Sequence, residues 1–227
     1  MSVTILPSTT RTPICMIGEM AGVCWGADTT KQEKNYKRGL SCLKSNHGRT
    51  FEFPDVYMIL EGYSARVIRE WYTHIGGSPT RLQASTRYID YEHGFSYVTP
   101  PSIYGNIEAE SIYLECMSNI TDCINQLDDI GIPKEDSAML LPLGMTTKIV
   151  CKHNLRNLID MSHQRMCNRA YWEYRKLFGD VCKALSAYSD EWAVVVKEYF
   201  KPKCDVLGYC PEEHGCGRYE KRKEDLK

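Results

Sequence analysis

Residues 67–88 read VIREWYTHIGGSPTRLQASTRY, and two kinds of pattern follow one another in that run. Ala65, Ile68, Tyr72 and Ile75 fall three and four apart, which makes one apolar face and predicts a helix over 64–74. Ser64 suits its N-cap. Gly76, Gly77 and Pro79 then stop it. His74, beside the Gly-Gly break, suits a cap on the negative end of the helix dipole. From Thr73 to Tyr88 the chain is densely polar. Glycine lets backbone amides approach an anion, Ser78, Thr80, Ser85 and Thr86 offer hydroxyls, and Arg81 and Arg87 offer planar forks. This reads as a phosphate-binding loop, or as a solvated loop whose arginines make salt bridges.

Working outward, residues 12–21 (TPICMIGEMA) are expected to form a first strand and 31–45 a helix. Residues 50–60 (TFEFPDVYMIL) read as a strand, with Pro54 marking an edge or a bulge. Toward the C-terminus, 108–129 is an amphipathic helix with Ile112, Cys116, Ile120, Cys123, Ile124 and Leu127 as its stripe. A short apolar piece (137–143) and a strand (145–152) follow. Residues 155–186 look helical throughout, and 190–200 make a last helix capped by Ser189. The mixture places the chain in the α+β class.

A second polar concentration lies on the long helical stretch. Asn154, Arg165 and Trp172 are 11 and 7 residues apart, about three and two turns, so a continuous helix puts them on one face with Met161. Arg156, Arg169 and Arg175 add charge nearby. An arginine on an apolar face needs an anion. A bound ligand meets that need, and so does Asp160 or Glu173. The third concentration is Cys204-x5-Cys210-x3-His214-x-Cys216, four soft ligands for zinc in a spacing that matches no zinc knuckle. Incidental thiols in a Gly-rich tail are the alternative. The mixed-charge end, 220–227, is expected to be mobile.

Composition narrows the class. At 227 residues the chain suits one domain, or one with a tail. A net charge of -1 gives no general pull on nucleic acid or anionic membrane. The longest stretch free of Asp, Glu, Lys and Arg, 93–107, holds Gly and two prolines, so no membrane span is expected. The opening MSVTILPSTTRTP lacks a basic end followed by an apolar block, so no secretory leader is expected. The 11 cysteines are then read as reduced thiols in a cytoplasm, with Cys116 and Cys123 packed in the core. No Gly-x-Gly-x-x-Gly after a strand, no Walker loop, no His-Glu-x-x-His and no Gly-x-Ser-x-Gly elbow occurs.

The run 67–88 resembles the signature of the flavin-dependent thymidylate synthases: Arg-His-Arg, seven residues, then a serine and a nearby Arg-Tyr. Ser85-Thr86-Arg87-Tyr88 matches the closing part. Residues 47–53 (HGRTFEF), with Glu52 at the matching acid, and 141–172 (LPLGMTTKIV, then NLRNLIDMSHQRMCNRAYWE) match two further family segments in order. The likeness spans roughly residues 15–200.

The chain also departs from the family. Thr73-His74-Ile75 stands where the family has Arg-His-Arg, and nine residues separate Ile75 from Ser85. Arg81, in the enlarged loop, is a candidate replacement for a lost arginine. Gln83 replaces a glutamate, Glu70 a glutamine, Asp160 an asparagine, Arg169 a histidine and Lys148 an arginine.

The resemblance implies a mainly antiparallel sheet with flanking long helices in a catalytic domain over 1–200, followed by a Cys-containing extension over 201–227. It implies reductive methylation of dUMP to dTMP, with FAD as hydride carrier, NADPH as reductant and methylenetetrahydrofolate as carbon donor. It also implies a homotetramer with sites between subunits. Arg165 matches the arginine facing the uracil. Glu70, Arg81, Gln83, Ser85, Arg87 and Lys148 are the other substrate-side candidates. Arg49, Thr50, Thr73, His74, Asn154, Arg156, Asp160 and Arg169 are the flavin-side candidates. The rival expectations are one-carbon transfer that leaves a hydroxymethylated pyrimidine, and a nucleotide-binding protein that has lost its flavin.

Overall fold

The computed structural model describes residues 1–91 and 93–221; the end of the mixed-charge tail lies outside the described residues. Four strands form one mainly antiparallel sheet. They are β1 (Ser2–Ile5), β2 (Asp55–Ser64), β3 (Thr80–Gln83) and β4 (Thr146–Asn154), in the order β1-β2-β4-β3. The helices are α1 (Pro13–Cys24), α2 (Gln32–Lys44), α3 (Ala65–Trp71), α4 (Ile107–Asp129), α5 (Lys134–Ser137), α6 (Leu155–Arg165), α7 (Trp172–Tyr188), α8 (Asp190–Tyr199) and α9 (Lys203–Leu207).

Contacts divide the chain into two units. The first holds Met1–Ser2, Leu60–Glu70 and Leu82–Ile149; the second holds Val3–Ile59, Trp71–Arg81 and Val150–Lys227. In the second, α1 and α2 meet backbone to backbone. A Cβ on Gly18 would stand 1.8 Å from the Asn35 carbonyl oxygen, and one on Gly39 would stand 1.9 Å from that of Ile14. The core beside them centres on Trp71, which stacks on Tyr174 at 5.7 Å, with Phe178, Leu158, Met161 and Trp192 also buried. In the first unit, Leu60, Tyr63, Val67, Ile68, Met117, Ile124 and Ile149 are buried.

Several expectations are corrected. Residues 12–21 belong to α1, not a strand: Pro13 sits in its first turn, where no N–H is needed, and buried Ile14, Ile17, Gly18 and Ala21 follow helical spacing. Gly48–Glu52 is a 3-10 turn, so β2 begins only at Asp55, and Pro54 precedes it rather than marking an edge. The helix expected to run to His74 ends at Trp71, and Ile75 is exposed. The 155–186 helix is broken between Arg165 and Trp172, so Asn154, Arg165 and Trp172 do not share one helix face. Cys116 and Cys123 are exposed, because α4 buries only Met117 and Ile124. The Ser189 cap holds, its hydroxyl accepting from the Trp192 N–H.

Candidate functional site

In the second unit, the chain leaving α3 brings His74 to Arg165, at the end of α6. The Arg165 Nε donates to His74 Nε2 at 2.9 Å, and the guanidinium lies 4.6 Å from the centre of the Tyr174 ring. His74 is therefore an acceptor at Nε2 and carries its proton on Nδ1. Burial, then the charge of Arg165, push its pKa down to about 4, so the ring is neutral at neutral pH. This replaces the expected helix-cap role.

The loop after His74 is held from β4 and α6. Gly77 has φ +73°, and a Cβ there would stand 2.4 Å from Asn154 Nδ2. Asn154 caps α6, accepting from the Asn157 N–H, and its Nδ2 donates to the Gly77 carbonyl. Behind it, buried His153 accepts from Trp71 Nε1 at 2.9 Å. That fixes its proton on Nδ1, which donates to Asn157 Oδ1 at 2.5 Å. Burial pushes the His153 pKa down to about 4. Arg81 returns to the same neighbourhood, lying 4.5 Å over the Tyr72 ring and donating from Nη2 to the Tyr72 carbonyl. Its Nη1 is buried with no hydrogen-bond partner among the described residues.

A cavity of about 740 Å³ lies beside α6, lined by Asp160, Gln164, Arg165 and Arg169 together with residues of the C-terminal extension. Arg49 and Arg156 meet elsewhere in this unit, on Glu52, at 2.9 and 2.7 Å. Hydrogen bonds, first from Arg156, lower the Glu52 pKa. Thr50 is buried and bonds the His47 carbonyl, while Thr73 is exposed.

The first unit gathers the other candidates. Gln83 Nε2 donates to Thr147 Oγ1 at 3.3 Å, and the Ala84 N–H donates to the Lys148 carbonyl at 2.8 Å. Ser85 Oγ accepts from the Arg87 N–H. Arg87 pairs with Glu135 at 2.7 Å, and Lys148 with Glu61 at 3.2 Å, all four side chains being exposed. A cavity of about 730 Å³ is lined by Glu61, Ala84, Tyr97, Thr147 and Lys148. Glu70 is half-buried at the end of this unit's first helical segment.

Zinc in the tail is not supported: among the described residues no three His, Cys, Asp or Glu side chains are grouped to hold a metal ion. Cys204 and Cys210 are buried and Cys216 is exposed, and the His214 backbone carbonyl accepts from Arg169.

A family model described as Thymidylate synthase complementing protein matches residues 6–188. The chain belongs to the flavin-dependent thymidylate synthase family. The family's enzyme from Nitratidesulfovibrio vulgaris is 31% identical over 195 residues, covering 80% of this chain and 76% of that one. The enzyme from Thermococcus kodakarensis is 31% identical over 176 residues, covering 75% and 70%. In structure, the flavin-dependent thymidylate synthase of Helicobacter pylori, crystallised with FAD and dUMP, superposes with a TM-score of 0.69 at 16% identity, covering 88% of this chain and 100% of that one.

Within this flavin-dependent thymidylate synthase family member, the matched region holds every candidate outside the tail. Sequence reasoning missed four residues that organise the site: Tyr72, His153, Asn157 and Tyr174. Only Asn157 had a local signal, three residues after Asn154, as an N-cap partner should be.

Proposed function

We propose that the protein is a flavin-dependent thymidylate synthase that converts dUMP to dTMP, with methylenetetrahydrofolate as carbon donor and NADPH as reductant. The observation that carries this reading is Arg165, held by neutral His74 on the wall of a cavity that also takes Asp160 and Arg169. The volume lies within the roughly 300–1,000 Å³ usual for cofactor sites. Its donors, Arg165, Gln164 and Arg169, suit the carbonyls and nitrogens of a flavin ring or uracil. The residues present thus fit FAD. When bound, the flavin supplies hydride chemistry that no side chain can.

The protein's own part is placement and charge. Arg165 faces the uracil and stabilises negative charge that develops on it. His74 fixes the plane of that guanidinium without adding a second positive charge. Asn154 holds the Gly77 turn, so that His74 and Arg81 keep their positions. Ser85, Arg87, Gln83, Lys148 and Glu70 are the nucleotide-side residues, with Arg81 in place of the family's lost arginine. Arg49, Thr50, Thr73, Arg156, Asp160 and Arg169 are flavin-side.

Assembly as a homotetramer with sites between subunits, residence in the cytoplasm, and a catalytic region over 1–200 followed by an extension belong to the same reading. Exposed Ile112, Cys116 and Cys123, which share one face of α4, support a covered face in the assembly. No helix of the described residues is long and apolar enough to cross a membrane.

The test is direct. FAD-loaded protein, reduced with NADPH, is incubated with dUMP and methylenetetrahydrofolate, and the product is weighed by mass spectrometry. Thymidylate is expected. A hydroxymethylated nucleotide assigns the altered 73–83 loop to a different outcome of the same chemistry. No product despite bound flavin and dUMP removes the proposal.

A further inference from the structure

The family match ends at residue 188, yet the cavity beside α6 does not end there. Cys204, Cys210 and Cys216 line it together with Asp160, Arg165 and Arg169. The extension is tied down by several contacts. Arg169 Nη1 donates to the His214 carbonyl at 2.6 Å and lies 3.9 Å from the Glu212 carboxylate. The Cys210 N–H donates to the Glu220 carbonyl, closing the 210–220 segment into a loop. Arg218 bonds Asp205 on α9 at 2.7 Å, so the loop is fastened to the helix that precedes it. Ser162 on α6 receives a hydrogen bond from the Lys201 N–H at 3.2 Å, which sets where the extension starts. These ties use charged and backbone groups at named positions, as a folded wall requires and a loose tail does not.

We propose that residues 203–220, beyond the family match, form a wall of the cofactor pocket, so that a flavin bound beside Arg165 is contacted by the extension and shielded by it from solvent. The proposal rests on the flavin reading of the cavity. It assigns to the extension the retention of the cofactor, not the chemistry. Cys204 and Cys210, buried in the wall, pack it; Cys216, exposed on the cavity surface, reports on its occupancy.

The thiols make the test. The protein is treated with a small maleimide, with and without FAD, and alkylation is followed residue by residue by mass spectrometry. At FAD about ten times its Kd, about one site in ten stays free, so alkylation of Cys216 is expected to slow about tenfold. Exposed Cys24, on α1 and away from the cavity lining, is the internal control and should not change. Arg218→Asp is then expected to speed alkylation of Cys204 and Cys210 and to raise the rate of flavin loss. The charge swap Asp205→Arg with Arg218→Asp should restore both.

FAD that binds yet leaves Cys216 as reactive as before overturns the wall while leaving the flavin reading intact. Unchanged flavin loss in Arg218→Asp, with Cys204 and Cys210 exposed, overturns it too. Failure to bind FAD at all removes the flavin reading and the wall with it.

Discussion

Arg165 and His74 stand 91 residues apart in the chain and meet through one hydrogen bond, Nε to Nε2 at 2.9 Å, in which the arginine donates and the histidine accepts. A protonated imidazole has no lone pair to accept with, so the bond requires His74 neutral. Arg165→Ala is expected to remove about 2–3 kcal/mol of substrate or transition-state stabilisation, roughly a 30- to 150-fold loss in kcat/KM for dUMP. Arg165→Lys keeps the charge but not the planar fork, and should recover only part of the loss. Steady-state kinetics with unchanged kcat/KM in both variants would place the uracil elsewhere.

The same bond predicts a pH dependence, shared with His153. Both imidazoles have folded pKa values lowered from 6.5 to about 4. The unfolded chain therefore takes up protons first. Their contribution to stability is fully present above pH 6.5 and is lost progressively as pH falls to about 4. Urea midpoints should fall from pH 7.5 to pH 5. His153→Phe should flatten the dependence while costing stability, because Trp71 Nε1 and Asn157 Oδ1 lose their buried partner. That cost is about 2–4 kcal/mol, one to three for each orphaned group less some relaxation. A wild-type midpoint that is flat across that range contradicts the assignment of neutral histidines.

On the nucleotide side, Ser85→Ala and Arg87→Ala are expected to weaken dUMP binding more than FAD binding, measured by titration of each ligand. Stability should hardly change. Arg87 and Glu135 form an exposed pair, and such pairs are worth about 0–1 kcal/mol. Equal losses for both ligands, or a large drop in melting temperature, would show these residues acting through the fold instead.

How much of this was legible depended on how local the signal was. The Ser189 and Ser64 caps were readable, because a cap is a contact between residues three apart; the Ser64 hydroxyl does accept from the Val67 N–H. The first helix was mistaken for a strand because Ile, Cys and Met at 14–17 look β-like until Pro13 is weighed as a helix start. The break after Arg165 was missed because residues 166–171 contain neither glycine nor proline. An apolar stripe on α4 shows that one face is apolar; it does not show that this chain covers it, so Cys116 and Cys123 came out exposed. Arg165, Ser85 and Arg87 stood out in the local polar pattern, and the resemblance supplied their roles. Their partners His74, Glu135 and Tyr174 lie far away in sequence or on other elements, and only the fold places them.

The turn that carries His74 offers the sharpest backbone test. Gly77 and Ser78 both have positive φ, at +73° and +53°. At Gly77 any side chain also meets Asn154, whose Nδ2 would be 2.4 Å from the new Cβ. Gly77→Ala should therefore cost the left-handed conformation, about 1–2 kcal/mol. It should also push aside the asparagine that caps α6, so the fall in stability exceeds the conformational cost and kcat/KM falls with it. Ser78→Gly relieves the same conformational strain and, by loosening the unfolded chain, gives most of that gain back. It should be close to neutral in both measurements. If Gly77→Ala is as mild as Ser78→Gly in urea unfolding and in turnover, Asn154 does not hold this turn, and the placement of His74 has another cause.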